Sequence, residues 1–166
     1  MAELTPNINY LQPSGFNVSI SRENYPNLEY FAQAVSHPSI DVGAAEQSAR
    51  RVRIPTAGDT VTFGPLDITF LLDEDMTSYE EMFNWMVRLV NQKQTNQEQA
   101  IAEAIPATEA DIIVTVLSSH NNGLKQLKYY NCVPISLSGI ELNAQQGAEI
   151  PLSFNVSFQC LQFELV

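Results

Sequence analysis

The chain has 166 residues, 45% of them hydrophobic, and 19 acidic against 8 basic side chains, for a formal net charge of −11. Length and hydrophobic content suit one globular domain with a sizeable core and exclude intrinsic disorder. The charge argues against gripping nucleic acid by its phosphates, which takes clustered Lys and Arg, and no apolar run reaches the ~20 residues of a membrane helix.

Residues 1–14 read as a polar N-terminal arm holding Pro6 and Pro13. It lacks a basic region followed by an apolar core, so no signal peptide is expected, and the protein should be soluble and made in a cytoplasm. In Phe16 to Ile20, Phe16, Val18 and Ile20 alternate with Asn17 and Ser19, a strand pattern. A turn at Asn24 to Pro26 leads to a second apolar segment, Leu28 to Val35, and the two are expected to pair as a hairpin. His37 to Ala49 has Pro, Gly and small residues without a period and reads as a long loop. Arg50 to Pro55 is strand-like, and Thr56 to Thr60 reads as a turn.

The stretch from Phe63 to Val90 carries the strongest pattern. Leu66, Ile68 and Phe70 alternate with Asp67 and Thr69, a half-buried strand. An acidic turn, Asp73 to Asp75, precedes a predicted helix over 77–91. Tyr79, Met82, Phe83, Met86, Val87 and Val90 recur at helical spacing and are expected to form its core-facing stripe. Ser78 with Glu81 fits a capping box. Trp85 and Leu89 fall outside that stripe as a smaller apolar strip. Core packing is expected for it, with a sheet edge or another subunit as the alternatives.

Residues 92–109, rich in Gln, Asn and Glu, read as a polar surface insertion. Strands are expected at Asp111 to Leu117, Gln126 to Cys132 and Pro134 to Leu142, with a turn at Asn121 to Gly123 and an interruption at Gly139. In the last strand Leu152, Phe154, Val156, Phe158 and Cys160 point one way and Ser153, Asn155, Ser157 and Gln159 the other. The fold class is mainly β, a β-sandwich or barrel flanked by one α-helix.

Residues suited to chemistry are scarce. There is no GxSxG elbow, P-loop, GxGxxG or HExxH, and the two histidines, His37 and His120, sit in loop-like segments. Asp73, Glu74 and Asp75 do not match a calcium loop and suit a helix N-terminus better. Cys132 and Cys160 lack zinc-site spacing and read as buried thiols. The asparagine triplets at Asn17 and Asn155 match a glycosylation signal but lack a secretory context. No catalytic, metal or cofactor-binding residue is assigned, and no enzyme is expected. Arg50, Arg51 and Arg53 hold three of the eight basic charges. On an acidic chain they suit contact with a neighbouring copy, or charge protection of a strand edge, better than nucleic acid.

The segments FNVSI with LEYFAQAV, RRVRIPTAGDTVTFGPLDITFLLDEDMTSYEEMFNWM, and CVPISLSGIEL followed by IPLSFNVSFQCLQFEL give an order of elements that resembles the tail tube protein family of contractile-tailed bacteriophages. It is similar in outline to the type VI secretion tube protein. The resemblance runs from about Phe16 to the end. It implies a hexameric ring in which inner strands of six subunits join one ring-wide barrel. Rings would stack into a tube that DNA traverses without specific binding, surrounded by sheath, baseplate and neck proteins. The place implied is the virion tail, assembled in the host cytoplasm, with no membrane. The long loop over 37–60 would reach the adjacent ring, and its candidate contacts are Asp41, Glu46, Arg50, Arg51 and Arg53. A tube initiator or terminator of the same fold is the alternative. A type VI-like tube protein or a monomeric ligand-binding β-barrel is a more distant one.

Overall fold

Two neighbouring strands with strict alternation carry much of the core. In β5 (Leu66–Leu71) the side chains of Leu66, Ile68 and Phe70 are fully buried, and in β8 (Ser153–Gln159) so are Phe154, Val156 and Phe158. They pair antiparallel with Leu66 opposite Phe158 and Phe70 opposite Phe154, so all six side chains share one face. The computed structural model describes residues 10–21, 25, 27–28, 31–49, 52–94, 108–143 and 151–166, with backbone alone for 45–49, 52–55, 57 and 91–94.

Around that pair, seven strands form one sheet. β1 (Phe16–Ile20) is one edge, followed by β6 (Ala110–Leu117) and β7 (Gly123–Leu137), then β8, β5 and finally β2 (Ala32–Ser36) at the other edge. The seventh, β9 (Gln162–Leu165), pairs with β7 in the same register as β8 and continues it past Cys160 and Leu161. β3 (Ile40–Ala49) and β4 (Val52–Phe63) form a separate two-stranded hairpin. The fold is sheet-rich, as expected, but among the described residues the sheet does not close on itself, because β1 and β2 each have one partner.

The expected β1–β2 hairpin is not formed. β1 pairs with β6 and β2 with β5, at opposite edges. Burial drives this: Tyr25 and Leu28, in the connection, belong to the core, so the chain crosses the apolar face instead of turning back. The two strands expected on either side of Cys132 are one, β7, bent where it passes from β6 to β8. Tyr130 and Asn131 together oppose Asp111, a β-bulge. Asn131 takes a left-handed φ of 50°, and its N–H donates to Asp111 Oδ1 at 3.0 Å. Pro134 falls beyond the end of β6, where β7 has a ladder partner on one side only and can spare an N–H.

Helix α1 (Thr77–Gln94) lies over the apolar face. Its rotation differs from the expected one. Met82 and Trp85 are fully buried and Leu89 packs on the core, whereas Phe83, Val87 and Val90 are 52%, 38% and 58% exposed. Tyr79 is partly buried, edge-on to Phe154 at 5.3 Å, and Met86 is half-buried at the boundary. The strip around Trp85 wins because it offers the larger area to bury. The Trp85 ring stacks on Tyr25 with centroids 4.4 Å apart, and its Nε1 donates to Thr108 O at 2.9 Å. Arg88 closes the cluster, its guanidinium over the Tyr25 ring and donating to the Tyr25 hydroxyl.

The cap also differs. Asp73, not Ser78, receives the free N–H groups of the helix start: Thr77 N donates to Oδ2 at 3.0 Å and Ser78 N to Oδ1 at 3.1 Å. Ser78 is buried and its hydroxyl also donates to Asp73 Oδ1, at 2.8 Å. Desolvation alone would push the Asp73 carboxyl up, but hydrogen bonds from Ser78 and Thr77 outweigh it and bring it down to about 2. Glu81 accepts from Asn27 instead of completing a capping box. The cysteines, read as thiols, form a disulfide: β7 and the end of β8 bring Cys132 and Cys160 together with Cα atoms 4.1 Å apart.

Candidate assembly interface

The segment expected to be a long loop is the β3–β4 hairpin, with strands of 10 and 12 residues. Its strands pair only with each other and not with the seven-stranded sheet, so no alternation was available to mark them in the sequence. Ile40 opposes Phe63 and Val42 opposes Val61, which puts four apolar residues on one face at its root; Ile40, Val42 and Val61 are half exposed. The TAGDT stretch, expected to be a turn, lies within β4. There the register slips between Val42 and Ala44, and the backbones of Gly43 and Gly58 touch. A Cβ on Gly58 would stand 2.0 Å from Gly43 O, so only glycine fits this crossing.

The candidate contacts distribute along this hairpin. Asp41 is at the root, accepting from Ser39 Oγ at 3.3 Å. Glu46 sits opposite Pro55 and Arg53 opposite Ser48, near the far end, where Ala49 meets Val52. Arg50 and Arg51 lie outside the described residues.

The root is fastened to the sheet. Gly64 N donates to Ser39 O at 2.9 Å and closes the base of the hairpin. Phe63 meets Phe163 of β9 edge-on at 5.2 Å, and His37 meets Phe163 at 4.6 Å. His37 Nδ1 shares a 2.7 Å hydrogen bond with the hydroxyl of buried Tyr129. Partial burial lowers the His37 pKa from 6.5, favouring the neutral imidazole, and burial raises that of Tyr129 to about 12. His37 is therefore a fastening residue, which its loop position did not signal.

Beside the root, a groove of about 660 Å³ runs between β4 and the bend of β7. Val61, Phe63, Val133, Ile135 and Leu161 line it, with Ile135 and Leu161 54% and 69% exposed. The helix adds a second apolar surface, Phe83, Val87 and Val90, and Met76 is exposed just before its first residue. The outer face of β2, β5 and β8 is different again. Ser36, Asp67, Thr69, Asn155 and Ser157 stand on it, with Ser157 Oγ donating to Asp67 Oδ1 and Thr69 Oγ1 to Asn155 Oδ1. The three strands hold no Lys or Arg, whereas β7 carries Lys125 and Lys128. Among the described residues no cluster of His, Cys, Asp and Glu is placed to hold a metal.

A family model for phage tail tube proteins matches residues 3–165. The chain belongs to the phage tail tube protein family. This tail tube protein is similar in fold to a chain in the anti-feeding prophage tube-terminating cap, at TM-score 0.68 and 11% identity over 99% of this chain and 95% of that one. It is also similar to one in an extracellular contractile injection system, the PVC sheath–tube complex in the extended state, at TM-score 0.64 and 18% identity over 96% and 93%. Hcp1 from Flavobacterium johnsoniae matches at TM-score 0.50 and 14% identity over 91% and 94%. No curated protein sequence matches. The tail tube protein is thus a structural component of a phage-like tail, with the fold shared by tube and Hcp proteins.

Proposed function

We propose that this protein is the repeated subunit of the inner tube of a contractile phage tail, six copies to a ring, with rings stacked into a conduit for DNA. The family match over residues 3–165 carries this reading. Free edges at β1 and β2 support it, since strand pairing between copies removes an otherwise exposed edge. The hairpin would reach the adjacent ring, with Asp41, Glu46, Arg50, Arg51 and Arg53 as its contacts. The cation-free face of β2, β5 and β8 would line the lumen, where a lack of Lys and Arg lets phosphates pass without being held. Sheath, baseplate and neck proteins would be its other partners, and it would act without enzymatic chemistry.

Negative-stain electron microscopy of the purified protein, with its mass in solution, tests this. Six-fold rings and tubes are the expected result; a monomer at every concentration would count against it. A second reading, a terminal cap of the tube, draws on the likeness to the anti-feeding prophage cap. Single rings that never elongate would favour it.

A further inference from the structure

The turn from β6 to β7 holds Asn122 and Gly123, the one Asn–Gly pair in the chain, and both residues are exposed. Ser118 fixes the turn. Its N–H donates to Asn122 O at 2.8 Å, its carbonyl accepts from Asn121 N at 2.9 Å, and its hydroxyl accepts from Asn122 N at 3.2 Å. Asn121 takes a left-handed φ of 59°, which lets the chain reverse here. Among the described residues the Asn122 carboxamide has no hydrogen-bond partner.

These bonds aim the backbone. The peptide joining Asn122 to Gly123 is trans and planar, so its C=O and N–H point in opposite directions. The C=O is turned toward Ser118 N, so the Gly123 N–H is turned away from β6. The strand on that side is β9, and the chain's last residue, Val166, reaches only to Gln126, three positions past Gly123. No described strand covers the Gly123 N–H, and Gly123 has no Cβ to shield it. An amide nitrogen open to solvent base thus follows directly on a free carboxamide, the arrangement that closes a five-membered ring. Every other asparagine is followed by a residue with a side chain. The Asn27 carboxamide also donates to Glu81 and that of Asn155 accepts from Thr69, and buried Leu28 and Val156 come next in the chain.

We propose that Asn122 is a site of spontaneous deamidation. Solvent base takes the Gly123 N–H proton, and the nitrogen attacks Asn122 Cγ. The carboxamide C–N bond breaks, ammonia leaves with a proton from solvent, and a succinimide remains. Water then adds to one of the two imide carbonyls. Opening at Cγ gives aspartate; opening at the backbone carbonyl gives isoaspartate, with the chain rerouted through Cγ. The net change converts one carboxamide and one water into one carboxylate and ammonium. It adds a negative charge to a chain already at −11, and isoaspartate lengthens the link between β6 and β7 by a methylene. The site does not depend on the tube reading.

Peptide mass mapping of the full-length folded protein, held at mildly alkaline pH and sampled over time, tests this. Asn122 is expected to gain the amide-to-acid mass before any other asparagine, at a rate within several-fold of that in urea, because the fold does not shield it. Asn122→Gln, whose longer side chain would have to close a six-membered ring, is expected to lose the modification. Gly123→Ala is expected to slow it at least several-fold. The φ of Gly123 is not positive and an added Cβ meets only Thr115 Cγ2, at 3.3 Å, so this variant is expected to fold, with its melting temperature as the check. Earlier deamidation of another asparagine, protection of Asn122 that disappears only in urea, or an undiminished rate in a folded Gly123→Ala variant would overturn the proposal.

Discussion

The fully buried Tyr129 and the loop residue His37, 92 positions apart, share a 2.7 Å hydrogen bond that ties the root of the β3–β4 hairpin to β7. The imidazole titrates near 6.5 in the unfolded chain and lower in the folded one. Between those two values the unfolded state binds more protons, so stability rises with pH across the window and is lost as pH falls through the folded value. The wild-type melting temperature is expected to drop as pH goes below about 6.5, and His37→Gln to remove that component. A difference between the two curves that is flat from pH 8 to 5 would refute the assignment. Tyr129→Phe is expected to cost about 1 kcal/mol.

Asp73 holds the start of α1 through Thr77 and Ser78. Asp73→Ala is expected to destabilise by about 1 kcal/mol in urea unfolding, the usual worth of a helix cap. Because the Asp73 carboxyl is lowered from 3.8 to about 2, its contribution is complete above pH 3.8 and vanishes as pH falls toward 2. An alanine variant whose stability deficit persists unchanged at pH 2 would contradict this.

The rotation of α1 predicts opposite results at two aromatic positions. Trp85→Ala is expected to cost about 3–5 kcal/mol, since it empties a buried site between Tyr25 and Phe158. Phe83→Ala, half exposed, is expected to change protomer stability by no more than about 0.5 kcal/mol. Chemical denaturation of both variants at low concentration settles which arc is inward.

These contrasts mark where the sequence was legible. β1, β5 and β8 bury one face each, and their period of two shows directly in Val18 and Ile20, in Leu66, Ile68 and Phe70, and in Phe154, Val156 and Phe158. Periodicity located α1 but not its rotation, because apolar residues occupy both arcs and the choice depends on what the sheet offers Trp85. β3 and β4, which pair outside the seven-stranded sheet, left no period to read. The meeting of Cys132 with Cys160 depends on the register between β7 and β8, which no local pattern encodes.

Gly58→Ala places a methyl carbon against Gly43 O and is expected to disrupt the pairing of β3 with β4 while sparing the seven-stranded sheet. Amide hydrogen exchange should then accelerate in 40–63 alone. If the hairpin bridges rings, this variant and the triple change Arg50, Arg51 and Arg53→Glu should both give rings without tubes. Tubes of normal length from both would remove the hairpin from inter-ring contact.

The proposed lumen face is tested by charge. Thr69→Lys with Asn155→Lys puts cations on the outer side of β5 and β8, where Thr69 opposes Asn155. Phage carrying them should assemble but eject DNA more slowly, and the defect should shrink as salt rises. Unaltered ejection kinetics would place that face elsewhere.

The hairpin also has the geometry of a lever. Its first strand has 10 residues, which at ~3.3 Å each puts the far end about 33 Å from the root. A tilt of about 5° at the root would swing the far end by roughly 3 Å, a full hydrogen-bond length. The packing of His37 and Phe63 on Phe163 thus acts as a fulcrum, and small repacking there is geared up into a displacement large enough to make or break contacts at a distance.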